Sequence, residues 1–305
     1  MRKDSIFPNL YREKKSNLCW PPAQPSDGRS FERVMTVMRP YIMEHPAEGQ
    51  RLLDKADAHP WICKYLQPHL GQINTLLSVG CGPGVFLREI AESDPEIEIV
   101  GVDKSPRRIQ QAQTRFSGLP NAHAFVADAT ALPFRNSRFD LVFSRFLLEY
   151  LPDRQLAVQE MARVCSDGGK VLLQDLDGQL LWHFPEDQEL QETTERVVNY
   201  LQGSGFDPFV GRKLYSLCVH AGLSDVTVQV DPYHLYAGRI DEKNYSHWQT
   251  KLEIAKPQLV AVLGSEAAAR RYSDRFLNYL LDPETLTYSC LFTVTGRKRR
   301  ASRPK

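Results

Sequence analysis

The sequence lacks several features that mark particular classes of protein. Its six cysteines contain no Cys-x-x-Cys pair, so we expect neither a disulfide framework nor a metal site. Its 38 basic and 37 acidic residues leave a formal charge of +1, too little to attract nucleic acid or an anionic membrane. No apolar run approaches the roughly 20 residues that cross a bilayer, and the N-terminus is too polar for a signal peptide. We therefore expect a cytoplasmic protein with a small-molecule substrate, and the oligomeric state stays open.

The order of apolar runs predicts an α/β protein. A chain of 305 residues with 42% hydrophobic content can bury a full core. Short apolar runs at 75–79, 97–102, 124–127, 139–143 and 170–176 alternate with helical patterns, which predicts a parallel sheet covered on both faces. Further strands are expected at 225–230 and 286–295, and helices at 210–223, 244–256 and 265–281. We divide the chain into an N-terminal arm and helical lid (1–70), a main domain (71–298) with insertions at 177–208 and 239–281, and a basic tail (299–305).

Three glycines follow the first predicted strand on alternate positions. Gly80, Gly82 and Gly84 mark a tight strand-to-helix turn, where a backbone without Cβ atoms lets a ligand lie against it. The third glycine comes one residue earlier than in the dinucleotide pattern G-x-G-x-x-G, and the Gly-Lys-Ser/Thr of a phosphate loop is absent. The loop therefore predicts a nucleotide-type cofactor other than a dinucleotide, with an ordinary turn as the alternative.

Carboxylates end the second and third predicted strands. Asp103 lies about 20 residues beyond the glycines, where one carboxylate can accept hydrogen bonds from both hydroxyls of a ribose. Asp128 ends the next strand, with Ala129 beside it. A polar residue that caps the next turn is the alternative for each. Their occurrence at consecutive strand ends favours the functional interpretation.

Four stretches then carry a family resemblance. Gly80-Cys81-Gly82-Pro83-Gly84 resembles motif I of the class I S-adenosylmethionine-dependent methyltransferases, and 100–103 resembles their second motif. Residues 139–144 resemble the fourth-strand motif, and 163–169 resemble the element before strand five, with Asp167 in place of a proline. Ser78 stands where the family often has an acid that steadies the loop. The resemblance covers residues 49–176 and is closest to the small-molecule group that includes quinone-biosynthesis and natural-product enzymes.

The resemblance implies a fold, a cofactor and a set of binding residues. The implied fold is a Rossmann-like, doubly wound sheet of seven strands, ordered 3-2-1-4-5-7-6, with the last strand antiparallel and with helical lid insertions. The implied cofactor is S-adenosylmethionine, with Asp103 on the ribose and Asp128 on the adenine amino group. Arg51 and Arg145 are candidates for its methionine carboxylate, with a surface ion pair as the alternative for either. The expected cofactor-binding residues are Gly80, Cys81, Gly82, Gly84, Asp103, Lys104, Asp128, Ala129, Ser144, Arg145 and Arg51.

The implied function is methyl transfer to an oxygen, nitrogen or carbon atom of a small-molecule metabolite. A catalytically silent S-adenosylmethionine-binding subunit or regulator is the alternative, because a fold alone does not establish catalysis. A nicotinamide oxidoreductase is disfavoured by the glycine spacing. Ser144-Arg145-Phe146-Leu147 replaces the Asn/Asp-Pro-Pro-Tyr motif that signals methylation of DNA bases or glutamine.

A catalytic base is needed only if the accepting atom carries a proton. The candidates by position are Glu149, Asp177, His183 and His234. We favour His183, because imidazole titrates near neutrality and its neighbours Trp182 and Phe184 can line an apolar pocket. A packed or solvated histidine is the alternative interpretation.

Overall fold

A computed structural model gives the structure of residues 57–203 and 205–300, with only the backbone at 179 and 180. Most of the predicted N-terminal lid, including Arg51, and the end of the basic tail lie outside these ranges. The strands of the described residues are β1 Thr75–Val79, β2 Glu98–Asp103, β3 Ala122–Val126, β4 Phe139–Arg145, β5 Cys165–Phe184, β6 Leu223–Ala237 and β7 Leu286–Lys298.

The strands form one sheet in the order β3-β2-β1-β4-β5-β7-β6. The neighbours from β3 to β5 pair in parallel, whereas β7 runs antiparallel to both β5 and β6. The predicted order and the single antiparallel strand are therefore confirmed. The order reverses between β1 and β4, and ligands of such sheets bind beyond the carboxyl ends of the strands at this switch point.

Helices connect the strands, and several begin at a capping residue. Asp153 and Ser265 each accept a hydrogen bond from the backbone amide three residues ahead, at 3.3 and 3.1 Å, which satisfies an amide that the first helical turn leaves open. The helices are α1 Ala58–Trp61, α2 Gln67–Leu70, α3 Val85–Ser93, α4 Pro106–Arg115, α5 Arg154–Val164, α6 Gln188–Gln202, α7 Leu214–His220, α8 Glu242–Leu263 and α9 Glu266–Leu281. A π-helical turn, Ile62–Leu66, joins α1 to α2, and 3₁₀ turns lie at Leu148–Tyr150 and Gly211–Lys213. None of these helices is both long and apolar enough to cross a membrane.

Each face of the sheet has its own hydrophobic core. Leu76, Ile99 and Leu141 are buried on the face that α1, α3 and α4 cover. Val79 and Val142 are buried on the opposite face, against α5 and α7. Both faces are therefore covered, as a parallel sheet requires.

Several predicted boundaries were wrong, among them those of the strand expected at 225–230, which runs over Leu223–Ala237 as β6. Strand β5 does not end at residue 176 but continues to Phe184, because β7 is long enough to pair with this extension, with Phe184 opposite Leu286. Residues 177–184 therefore belong to the sheet and do not begin an insertion. Helix α8 continues through Pro257, where an end was expected. A proline removes one helical hydrogen bond, but α8 still buries Leu259 against its neighbours. The segment predicted as one helix at 210–223 is a 3₁₀ turn followed by the shorter α7.

Candidate active site

The glycine loop is fastened to the end of β2. The amides of Gly80 and Cys81 both donate to the Val102 carbonyl, at 2.8 and 2.9 Å. Gly80, Gly82 and Gly84 have φ values of 76°, 55° and 78°, in the left-handed region that other residues rarely adopt. A Cβ atom on Gly84 would lie 2.8 Å from the Phe116 ring, so this glycine also allows the first turn of α3 to approach the end of α4.

Gly82 faces open space. A Cβ atom at this position would meet nothing within 4 Å, although the residue itself is buried. The space beside the Gly82 backbone is therefore open to a ligand at the switch point of the sheet. This open loop fits a cofactor that lies directly against the backbone.

Asp103 links the loop to the end of β2. One carboxylate oxygen accepts a hydrogen bond from the Gly82 amide at 2.9 Å, and the other accepts from the Ser105 amide at 2.9 Å. Each carboxylate oxygen has about two acceptor positions, so both oxygens can also accept from a ribose hydroxyl. Sequence reasoning predicted a role on the ribose but missed that Asp103 also holds the loop. Lys104 follows it directly and is partly buried.

Asp128 lies at the same edge of the sheet as Asp103. Asp103 is paired with Val126 in β3, two residues before Asp128. Oδ1 of Asp128 accepts from the amide and the hydroxyl of Thr130, at 2.8 and 2.6 Å, which fixes the carboxylate in a local turn. No hydrogen bond to its Oδ2 occurs within the described residues, and Ala129 beside it is buried. The structure therefore brings these two predicted cofactor residues together.

Ser144 and Arg145 end β4 next to β1. Ser144 is paired with Val79 and is 1% exposed, and its hydroxyl has no hydrogen-bond partner among the described residues. The Arg145 guanidinium lies 4.0 Å from the ring centre of Phe146, and its Nε donates to Gln174 Oε1 at 3.2 Å. Burial lowers the pKa of Arg145. Sequence reasoning singled out both residues but not what surrounds them.

Two buried carboxyl groups lie near the end of β4, one following β4 and one within the neighbouring β5. Glu149 and Asp175 are 2% and 0% exposed, and the Glu149 amide donates to Asp175 Oδ2 at 3.2 Å. Burial raises the pKa of Asp175 well above its usual value, and the nearby Glu149 charge raises it further. Asp175 was missed by sequence reasoning. Its only signal was the polar pair Gln174-Asp175 within an apolar strand.

The Asp177 carboxylate is already occupied. It accepts hydrogen bonds from the Arg212 backbone amide at 2.8 Å and from the Arg212 guanidinium, the shortest at 2.6 Å. This ion pair holds the 3₁₀ turn at Gly211–Lys213 against β5. The arrangement favours a structural role for Asp177 over proton transfer.

His183 lies apart from the other candidates. Its strand partner Thr287 is five residues along β7 from Phe292, the partner of Asp175, a separation of roughly 17 Å by the rise of a strand. The His183 Nδ1 atom is 2.9 Å from the Thr287 hydroxyl. Trp182 and Phe184 are 37% and 70% exposed and point to the opposite face of β5, because side chains alternate along a strand. The expectation that they form a pocket around His183 is therefore wrong.

His234 lies closer to Arg145. Its ring centre is 4.4 Å from that of Tyr233, which in turn lies 5.5 Å from Phe146, the residue after Arg145. On its other side it contacts Trp248 of α8 at 5.1 Å. A run of aromatic rings therefore joins the end of β4 to the helices that follow β6.

Comparisons with known proteins agree with this geometry. Residues 76–169 match a family model described as a methyltransferase domain. The matched stretch is a methyltransferase domain, and its motifs resemble those of the class I S-adenosylmethionine-dependent methyltransferases. The cofactor is S-adenosylmethionine, and the open Gly82 backbone and the carboxylates of Asp103 and Asp128 fit that molecule.

Individual relatives of this methyltransferase match only part of it. Ajmaline N-methyltransferase of Rauvolfia serpentina is 31% identical over 42% of this chain and 44% of its own length. Tocopherol O-methyltransferase of Arabidopsis thaliana is 34% identical over 33% of this chain and 30% of its own length. A solved complex of phosphoethanolamine N-methyltransferase 2 of Haemonchus contortus with S-adenosyl-L-methionine has the same fold, with a TM-score of 0.55 and 16% identity over 91% of this chain and 62% of that one. The chain spans about half the length of the curated relatives it matches.

Proposed function

We propose that this protein transfers a methyl group from S-adenosylmethionine to an oxygen, nitrogen or carbon atom of a small-molecule metabolite. The observation that carries the proposal is the cradle formed by Gly82 and Asp103. The loop backbone is open above Gly82, and the carboxylate that fixes it keeps acceptor positions for two ribose hydroxyls. The family match over residues 76–169 supports the same conclusion.

The protein's part in the reaction is mainly to bind and align. S-adenosylmethionine supplies a methyl group on a positively charged sulfur. Asp103 accepts from the ribose, Asp128 Oδ2 accepts from the adenine amino group, and the buried Ser144 hydroxyl provides a further polar contact at the end of β4. Alignment of the two reactants supplies much of the acceleration in such a displacement.

Proton removal, where the acceptor needs it, is assigned to the edge of β4 and β5. Glu149 and Asp175 adjoin the residues that end β4, whereas His183 is roughly 17 Å further along the sheet. Burial raises the pKa of Asp175, so this carboxyl can exchange a proton nearer to neutral pH than an ordinary one. By position, Glu149 beside it is a better candidate base than His183 or Asp177, and His234 is the second candidate.

A small acceptor is favoured by the net charge and by the acceptors of named relatives. The near-neutral chain has no overall charge to attract nucleic acid. Relatives with the matched domain are named for acceptors such as ajmaline and tocopherol. We also propose a cytoplasmic location, because the five cysteines in the described part of the chain are all free thiols.

The test uses methyl-labelled S-adenosylmethionine and extracts of the source cell. The extract is separated into metabolite, protein and nucleic-acid fractions, and the Asp103→Asn variant serves as the control with a weakened cofactor site. We expect label in the metabolite fraction with the wild type and much less with the variant. Label only in protein or nucleic acid would refute the small-molecule acceptor. No label in any fraction, with S-adenosylhomocysteine still bound, would favour the silent regulator.

A further inference from the structure

The Arg145 guanidinium lies in a box of aromatic rings. The ring centres of Phe146, Phe86 and Trp61 lie 4.0, 4.9 and 5.4 Å from it. We propose that Arg145 binds an anionic group of the methyl acceptor, so that the substrate is a small molecule with a carboxylate or phosphate at some distance from its methylated atom. This inference rests on the proposed function and specifies its substrate class.

The first argument is the missing counter-charge. No ion pair of Arg145 occurs among the described residues, although it is partly buried among apolar rings. Asp175 lies near enough to act on it, but burial raises the pKa of Asp175 and so favours the uncharged form of that carboxyl. The rings stabilise the faces of the guanidinium, but they do not satisfy the N–H groups along its edge. A guanidinium edge matches two oxygens of one carboxylate or phosphate. Binding of such an anion would supply the charge that the site lacks.

The second argument is the way the guanidinium is held. Gln174 Oε1 accepts from Arg145 Nε at 3.2 Å and from Trp61 Nε1 at 2.6 Å, and the Gln174 amide nitrogen donates to the Thr293 hydroxyl at 2.7 Å. These bonds fix the glutamine side chain and, through it, the position of the arginine. A charge held in place before the ligand arrives costs little ordering on binding.

The third argument is location. The partners of Arg145 come from β5, through Gln174, and from β6, through Tyr233, whose hydrogen bond acts to raise the pKa of Arg145. The predicted cofactor carboxylates instead follow β2 and β3, on the other side of β1. Phe86, in the first turn of the helix after the glycine loop, lies between the two sides. Arg145 therefore lies on the side of the ribose away from adenine, where the methyl acceptor approaches the cofactor, and the affinity for S-adenosylhomocysteine measured below separates an acceptor's anion from the cofactor's own methionine carboxylate.

The fourth argument is backbone strain next to this site. Phe146 and His234 have φ values of 53° and 48°, in the left-handed region that is unfavourable for large side chains. The ring of Phe146 touches Tyr233, the neighbour of His234, at 5.5 Å. Strained residues persist where the surrounding structure holds them and concentrate at ligand-binding sites. Phe146 and His234 both adjoin Tyr233, and two strained residues so close together indicate that this region is shaped for a ligand.

The experiment separates the metabolite extract on an anion exchanger before the reaction. Bound and unbound fractions are incubated with methyl-labelled S-adenosylmethionine and with wild type, Arg145→Met, Arg145→Lys or Arg88→Met. The last variant is the matched control, because Arg88 is exposed and pairs only with Glu92 on its own helix. Treatment of the bound fraction with phosphatase distinguishes a phosphate from a carboxylate.

We expect the wild type to label acceptors in the bound fraction. Arg145→Met should reduce this transfer by about 10- to 100-fold, the loss typical of a charge-assisted hydrogen bond, while S-adenosylhomocysteine binding by calorimetry changes less than about twofold. Arg145→Lys should keep part of the activity, and Arg88→Met nearly all of it.

Two results would overturn this inference but leave the proposed function standing. Label confined to the unbound fraction would show that the acceptor is not anionic. A loss of S-adenosylhomocysteine affinity in Arg145→Met as large as the loss of transfer would place Arg145 on the cofactor. No label in either fraction would overturn the proposed function and the inference together.

Discussion

Replacement of Asp103 by asparagine tests the cofactor site, because it keeps the size of the side chain and removes its charge. The carboxylate accepts from two backbone amides, those of Gly82 and Ser105, both at 2.9 Å. An asparagine can accept from one of them, but its amide nitrogen then faces the other amide, donor against donor. The variant should therefore loosen the glycine loop and lose a ribose contact in the same step.

The size of the effect follows from these bonds. A hydrogen bond to a charged group contributes about 1.5 to 3 kcal/mol. Loss of the bond to Gly82 or Ser105 should lower the free energy of unfolding by about that amount in the absence of ligand. Loss of a charged acceptor for the ribose should weaken S-adenosylhomocysteine binding by a similar free energy, roughly 10- to 150-fold. Urea unfolding measures the first quantity and calorimetric titration the second.

Asp140 provides the matched control at the opposite end of the strands, away from the cofactor site. Its carboxylate also accepts from two backbone amides, those of Asn74 and Thr75 at 2.8 and 3.1 Å, but it lies at the start of β4. Both amides donate to the same oxygen, Oδ2, which an asparagine could replace with its amide oxygen, so the control variant is Asp140→Ala. Asp140→Ala should destabilise the fold by at least as much as Asp103→Asn and leave S-adenosylhomocysteine affinity unchanged. Equal affinity losses in the two variants would mean that Asp103 acts only through stability. Unchanged affinity in Asp103→Asn would refute its role on the ribose.

Two further predictions concern stability. Gly84→Ala should lower the free energy of unfolding by about 2 kcal/mol or more, because its Cβ would meet Phe116 at 2.8 Å. Gly118 also has a positive φ but faces open space, so Gly118→Ala should lower it by only about 1 kcal/mol. Equal losses in urea unfolding would contradict the steric argument. Because burial raises the pKa of Asp175, the native state keeps a proton that the unfolded chain loses above about pH 4, and the free energy of unfolding falls as the pH rises toward the raised pKa. Asp175→Asn should flatten that fall above about pH 4, and the same slope in both proteins would show that Asp175 titrates normally.

The sheet could be predicted from the sequence because its signals are local. Each of the first strands is a short apolar run, and Gly80 to Gly84 or a capping residue such as Ser105 marks the turn that follows. The order of the strands came from the family resemblance, since spacing alone does not fix which strands are neighbours. The extension of β5 to Phe184 was missed, because its stability depends on pairing with β7, about 100 residues further along the chain.

The catalytic candidates were harder to predict, because residue type and position in the chain do not give distances. His183 was favoured for its imidazole and its aromatic neighbours, but strand alternation turns those neighbours to the other face. Asp175 was overlooked within an apolar strand, although its burial beside Glu149 gives it a raised pKa. A polar residue inside an otherwise apolar strand was the available signal.

The cofactor-binding residues and the surroundings of Arg145 come from different parts of the sequence. Gly82, Asp103 and Asp128 follow consecutive strands, so their spacing in the sequence reflects one repeated strand-helix unit, and all of them lie within the matched domain at 76–169. Of the side chains around Arg145, Phe86 and Phe146 also lie within that stretch, but Trp61, Gln174 and Tyr233 lie outside it. Each is an ordinary residue in its own element, so no local pattern marks it. Relatives that share the matched domain can therefore bind the same cofactor while residues outside it select a different acceptor. This explains why the family match establishes S-adenosylmethionine but leaves the acceptor to be identified through Arg145 and its partners.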